Sequence, residues 1–385
     1  MIRSRPARPL RILLDYRPAL RQRTGVGEYV HELARALVAT HDPGRPETLC
    51  LFSSSWRHRL DADVVPGATA IDRRIPVRLL NLLWHRARWP SIEVVTGRAF
   101  DVAHSAHPLL MPARQAAQVV MVHDLDFLHH PERSHREIRR DYPVLAPAHI
   151  RAADAVAVNS AHTAAEVVRL TGVDAGRIVV CPLGRPDWPA RQSEPAEAPL
   201  LFLGSLEPRK NIGLLLDAYE RLLAQRRARG LATPRLALAG GPGLGADAIL
   251  QRVRGPALAP HVDVLGYVNP DARRDLYVSA MICIMPSHTE GFGLPALEAM
   301  TTGVPVIAAD QGALPDLVGT AGLLFPSGDA EGLAAALDAV ISVPERRTHM
   351  REAGLERAKA FSWTHTAART REAWAHARER KARRG

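Results

Sequence analysis

The chain has 385 residues, 46% of them apolar and only 5% aromatic, with a formal net charge of +10. That length exceeds what one hydrophobic core usually organises, so two domains of ordinary size are expected. No apolar run reaches the ~18 residues of a membrane-spanning helix, and three widely spaced cysteines, Cys50, Cys181 and Cys283, argue against both a disulfide framework and a zinc site.

The basic excess is unevenly spread. Residues 1–190 carry 26 Lys and Arg against 19 Asp and Glu, residues 191–364 carry 17 against 19, and residues 365–385 carry 7 against 2. A basic first half with a basic tail fits an acidic acceptor or an anionic membrane face. Nucleic acid is not expected as a partner, since no zinc-finger, RNA-recognition or helix-turn-helix signature is present.

At the N-terminus, MIRSRPARPLRILLDYRP holds only a short apolar run ending at Asp15, too little for a signal peptide, and reads as a basic arm leading into a strand. A cytoplasmic location follows, with the inner face of the cell membrane as a further place of contact. Candidate strands of the first half are Ile12–Leu14, Leu49–Phe52, Val102–His104, Val119–His123, Ala155–Val158 and Ile178–Cys181. They alternate with helical patterns, which predicts an α/β fold around a parallel sheet. Gly25 and Gly27 stand at a turn before a helix, where small residues permit close backbone approach. The segment Ile75–Pro90, IPVRLLNLLWHRARWP, is basic and amphipathic; it reads as a helix packed in the first domain or as one lying in a bilayer interface. His123 ends a strand, and the Asp124-x-Asp126 pair after it is a coincidental rather than metal-binding pattern in this setting.

The stretch PLGRPDWPARQSEPAEAP, rich in Pro and Glu, has no hydrophobic period and reads as the interdomain linker, with domains at 1–190 and 191–364. A second strand series follows at Leu200–Leu203, Arg235–Ala239, Val262–Leu265, Ala280–Met285, Val304–Ala308 and Gly322–Phe325. After the first of these come Gly204 and Ser205, then Arg209 and Lys210, then a helix with Leu214, Leu215, Ala218 and Leu222 at helical spacing. Two cations converging on one loop suit a diphosphate, and Asn211 is placed to cap the helix. GGPGLG at 240–245 fails the Gly-x-Gly-x-x-Gly spacing and follows a mid-domain strand, which argues against a nicotinamide dehydrogenase.

The richest segment is PSHTEGFGLPALEAMTTGVP, residues 286–305. An apolar strand ends before it, and a helix tolerant of Pro295 begins near Leu294. At such a junction the N–H groups around Gly291, Phe292, Gly293 and Leu294 have no intrahelical partner and the helix dipole is positive, so a phosphate or hydroxyl can be held without a basic side chain. Glu290 enters from the loop and Glu298 from the helix about two turns along; a carboxylate there can accept from two adjacent hydroxyls of a hexose or ribose. A glycosidase also uses paired carboxylates, but that reading leaves Arg209 and Lys210 unexplained.

The Glu-x7-Glu spacing, with the Gly-x5-Lys-Asn run from Gly204 to Asn211, resembles retaining glycosyltransferase family 4 of the GT-B fold. The resemblance implies two Rossmann-like, doubly wound parallel-sheet domains facing across a cleft, an acceptor-side domain at 1–190, a donor domain at 191–364, and a C-terminal helix at 365–385 that crosses back onto the first domain. It implies that Glu290 contacts the donor sugar, Glu298 the nucleotide ribose, and Arg209 and Lys210 the diphosphate. Many members carry Arg directly after the glycine, where this chain has Ser205, so Arg209 is expected to supply the missing charge. Gly25 and Gly27 then lie against donor phosphates and acceptor, His123 contacts the donor sugar or its phosphate, and the base rests near Leu265, Tyr267 and Val268. The implied reaction is metal-free hexosyl transfer with no cofactor, from a nucleotide sugar to a glycan or lipid-linked saccharide. The Glu-Pro-Arg-Lys-Asn variant leans it towards GDP-mannose. A nucleotide-sugar isomerase and a silent sugar-nucleotide binding protein remain as alternatives.

Overall fold

In the computed structural model, described for residues 8–384 apart from 21, 22, 24, 45 and 135, the chain divides into two units. Unit 1 comprises residues 1–129, 136–184 and 362–385; unit 2 comprises residues 130–135 and 185–361. The basic arm before Arg8, and Arg21, Gln22 and Thr24 of the loop before Gly25, lie outside the described residues.

Unit 1 holds one parallel sheet of β1 (Leu10–Asp15), β2 (Glu47–Ser54), β3 (Thr69–Arg73), β4 (Val102–Ser105), β5 (Ala117–Val122), β6 (Ala155–Val158) and β7 (Ile178–Val180), in the order β3-β2-β1-β4-β5-β6-β7. The central strands read as near-continuous apolar runs because helices cover both faces of a parallel sheet. β3 escaped sequence detection: TAIDR is short, alternates polar residues and forms the sheet's edge, with only Ile71 buried. The connecting helices are α1 (Gly25–Ala39), α2 (Val77–Ala87), α3 (Ile92–Thr96), α4 (Asp126–His129), α5 (Arg136–Ala152) and α6 (Ala161–Thr171). The segment expected as a packed or interfacial helix is α2, which buries only Leu80 and Trp84.

Unit 2 repeats the plan with β8 (Leu200–Leu203), β9 (Leu236–Ala239), β10 (Val262–Gly266), β11 (Ile282–Met285), β12 (Val306–Ala309) and β13 (Leu323–Phe325), in the order β10-β9-β8-β11-β12-β13. Its helices are α7 (Ile212–Ala228), α8 (Ala246–Val253), α9 (Pro270–Ser279), α10 (Leu294–Thr302), α11 (Leu314–Val318), α12 (Ala330–Ile341) and α13 (Pro344–Ala358). α7 buries Leu215, Leu216, Ala218, Tyr219 and Leu222, each fully buried leucine contributing ~1.5–3 kcal/mol. The final helix, α14 (Trp363–Arg384), belongs to unit 1. There Trp374 donates to Nδ1 of buried His104 at 3.0 Å, and Arg371 pairs with Glu47 at 2.6 Å.

Both sheets reverse their strand order, between β1 and β4 in unit 1 and between β8 and β11 in unit 2. In doubly wound folds, ligands bind at the carboxyl ends of the strands where that reversal opens a crevice. In unit 2 those ends lead directly into Gly204 and into Ser287–Glu290.

Candidate active site

The loop after β8 and the loop after β11 meet at one carboxylate. Lys210 Nζ donates to Glu290 Oε1 at 2.6 Å, Arg209 approaches the other oxygen at 3.6 Å, and Ser287 Oγ donates to Oε1 at 2.7 Å. Glu290 is only 6% exposed. Burial by itself would raise its pKa, but Lys210 and then Arg209 outweigh burial and hold it below the usual carboxylate range. Glu290 is therefore ionised at neutral pH and cannot serve as a general acid. Arg209 also pairs with Glu207 at 3.1 Å, so the two cations expected to await a diphosphate already share carboxylates.

Backbone geometry fixes Glu290 from behind. Its carbonyl accepts from Ala313 N–H at 2.9 Å. Gly312 adopts φ +65, and a Cβ there would stand 2.8 Å from the Glu290 nitrogen and 2.7 Å from its oxygen. Ahead of α10, Gly293 adopts φ +102, the left-handed conformation that turns the loop into the helix. The N–H groups of Phe292, Gly293 and Leu294 donate to no protein acceptor among the described residues, as expected of a helix start. Phe292 and Gly291 are buried, and Leu294 is half-buried.

Glu298 lies one turn into α10, not two, because the helix begins at Leu294. Its oxygens are held by Tyr277 Oη at 2.9 Å and by Arg273 at 3.2 Å, leaving it 3% exposed. Arg273 in turn sits 5.5 Å from the ring of Trp188. Asn211 does not cap α7 with its side chain: it adopts φ 52, ψ 40, and its side-chain nitrogen is buried without a partner among the described residues. A left-handed residue presents its side chain away from the first helical N–H groups, which defeats the cap read from residue type. Gly204 donates its N–H to Ala239 at 2.9 Å and Ser205 is exposed. On edge strand β10 the turn that follows carries half-buried Val268 and Tyr267, which is 41% exposed.

Gly25, Gly27 and His123 belong to unit 1. Gly25 and Gly27 lie inside the first turn of α1 rather than before it. His123 follows β5, and its Nε2 donates to the Ala106 carbonyl at 3.2 Å. Burial pushes its pKa down to about 4 against the pull of Asp124, so the ring is neutral and Nδ1 remains an acceptor. A neutral acceptor suits a sugar hydroxyl better than a phosphate oxygen. At the end of β1, Asp15 and Arg17 pair at 2.8 Å, both buried, with His107 3.4 Å from the carboxylate. Asp124 accepts the Asp126 N–H at 3.2 Å in a local turn.

Reasoning from sequence missed Ser287, Tyr277, Arg273 and Gly312. Arg273 and Tyr277 stand four residues apart on α9, so helical spacing places them on one face. That face could have been tied to a buried carboxylate.

Two doubly wound parallel-sheet units, with a carboxylate and two cations gathered at a strand-order reversal, are the architecture of a glycosyltransferase of the GT-B type. The family described as glycosyl transferases group 1 matches residues 197–342, and glycosyltransferase family 4 matches residues 23–186. The O-antigen chain mannosyltransferase B of Escherichia coli is 32% identical over 284 residues, covering 70% of this chain and 73% of that protein. The D-inositol 3-phosphate glycosyltransferase of Nocardia farcinica is 34% identical over 235 residues, covering 57% of this chain and 51% of that protein, so the chain matches about half of that relative's length. Among solved structures, the sucrose-phosphate synthase of Thermosynechococcus elongatus shares the fold with a TM-score of 0.74 at 22% identity, over 95% of this chain and 98% of that one. The Anabaena protein HepE in complex with UDP and glucose gives a TM-score of 0.68 at 18% identity, over 95% and 99%. The chain belongs to glycosyltransferase family 4, the group 1 glycosyl transferases.

Proposed function

We propose that the protein transfers a hexose, with retention of anomeric configuration and without a metal, from a nucleoside diphosphate sugar to a hydroxyl of a glycan or lipid-linked saccharide. The observation that carries this reading is the ion pair of Lys210 and Glu290 at 2.6 Å beside the start of α10. It sets cations for a diphosphate next to a carboxylate for a sugar. The leaving diphosphate needs electrostatic stabilisation more than protonation, and Arg209, Lys210 and the N–H groups of Phe292 to Leu294 supply it. Glu290, ionised, orients the sugar hydroxyls; Glu298 holds the ribose; Tyr267 and Val268 shelve the base; Gly204 and Ser205 admit the phosphates closely. In unit 1, the neutral His123 ring offers an acceptor for a sugar hydroxyl, and Gly25 and Gly27 let a ligand approach the backbone closely. The acceptor attacks from the face the diphosphate leaves, and a donor phosphate oxygen takes its proton.

The mannosyltransferase relative supports mannose as the sugar; GDP as its carrier and a cytoplasmic site of action at the membrane, where a lipid-linked acceptor is presented, complete the proposal. Thermal-shift binding against UDP, GDP, ADP and their sugar conjugates, with EDTA and with magnesium, tests the reading. Stabilisation by one nucleotide family in EDTA is expected, since a ligand of the folded state raises apparent stability by mass action; no shift with any of them would sink it.

A further inference from the structure

Helix α2 has two apolar sides. One buries Leu80 and Trp84 in a core with Leu13, Phe52 and Ile71. The other bares Leu79 at 48% and Leu82 at 53%, and just beyond the helix Trp89 is 56% exposed. Arg78, Arg86 and Arg88 are exposed around them, and no Asp or Glu occurs between Arg73 and Ile92. Isolated exposed leucines need no explanation, but two on one face within a turn, with a tryptophan and three arginines against the nearby carboxylate of Asp141, do. An acidic protein groove would match the charge; a bilayer interface matches the charge and also the placement of Trp at the end of the stripe, where an aromatic ring sits at headgroup level.

The same helix reaches the functional edge of unit 1. Asn81 accepts from Arg17 at 2.8 Å, and Arg17 lies 4.9 Å over Trp84. The helix that carries the bared stripe therefore packs beside the carboxyl end of β1, the edge at which a doubly wound unit binds its ligand.

We propose that α2 and Trp89 form an interfacial anchor that seats unit 1 on an anionic bilayer, with Leu79, Leu82 and Trp89 at the acyl boundary and the three arginines at lipid phosphates. The inference rests on the lipid-linked acceptor reading above and gives it a surface. The anchor holds the strand ends of unit 1 at headgroup depth, where a lipid-linked saccharide would present its hydroxyl.

The test is co-sedimentation of the full chain with vesicles of phosphatidylcholine alone and of equal parts phosphatidylcholine and phosphatidylglycerol. Binding to the anionic vesicles is expected, weakened by about fivefold per arginine removed in Arg86→Gln/Arg88→Gln and abolished in Leu79→Ser/Leu82→Ser/Trp89→Ser. Both variants alter exposed side chains and should keep the parent's thermal unfolding and its nucleotide-induced shift. Absence of binding to anionic vesicles overturns the proposal, as does binding that neither variant changes. A concentration-dependent dimer seen by light scattering and lost in the triple variant, without vesicle binding, overturns it by assigning the face to a second copy. Because nucleotide binding is read separately, failure of the anchor and failure of the transferase reading are distinguishable.

Discussion

Replacing Glu290 with Gln should lower folding stability and turnover while raising nucleotide affinity. The carboxylate is nearly sealed from solvent and faces Lys210 at 2.6 Å and Arg209 at 3.6 Å. At an effective dielectric of ~20 these separations correspond to gross attractions of ~6 and ~5 kcal/mol, most of it offset by the desolvation of three charges. Removing one partner of such a cluster typically costs ~3–5 kcal/mol. Gln keeps the acceptor for Ser287, so a loss of ~2–3 kcal/mol in urea unfolding is expected. Without the carboxylate Lys210 loses its counter-charge and Arg209 keeps Glu207, so affinity for the nucleoside diphosphate should rise about tenfold, ~1.4 kcal/mol. Turnover should fall ~10²–10³-fold, as for loss of an oriented polar contact in the transition state. Calorimetric titration with the nucleotide and initial rates with its sugar conjugate read the two effects independently. Weaker nucleotide binding in Glu290→Gln, or unchanged turnover, would refute the reasoning.

Removing Tyr277 Oη in Tyr277→Phe leaves one oxygen of the buried Glu298 carboxylate without its donor at 2.9 Å; we expect ~1–3 kcal/mol of lost stability and weaker binding of nucleoside diphosphates but not of pyrophosphate, by calorimetry. Gly312→Ala puts a Cβ against the Glu290 backbone at a left-handed φ and should cost ~1–3 kcal/mol while lowering kcat; an unaffected kcat would show that Glu290 tolerates displacement. His104 and His107 have folded pKa values of about 4, lowered chiefly by burial, so the unfolded chain takes up protons first as pH falls below ~6.5. Stability contributed by these rings is therefore present above pH ~6.5 and lost between there and pH ~4. Glu290, whose folded pKa is depressed, adds a loss of the same sign at lower pH. A urea midpoint flat from pH 7 to 5 would contradict the histidine part.

Most of the architecture was legible because parallel strands covered on both faces must be apolar along their whole length, as LLFL of β8 and AVAV of β6 are. β3 was not, since an edge strand needs only one buried residue. In the candidate site, residue types and spacing brought Arg209, Lys210 and Glu290 to notice, but read them as separate instruments for phosphate and sugar. The structure joins them into one ion cluster, because pairing across 80 residues depends on how β8 and β11 lie side by side. Ser287 and Gly312 were invisible for the same reason: their importance lies in what they touch. Asn211 misled because residue type favours a cap while its backbone conformation forbids one.

The most direct measurement of the central claim is an NMR time course of the purified protein with an α-linked nucleoside diphosphate hexose and a saccharide acceptor in EDTA. The account predicts release of the nucleoside diphosphate together with a product whose new glycosidic linkage is α. A β-linked product, or turnover that appears only when a divalent metal is restored, would contradict it.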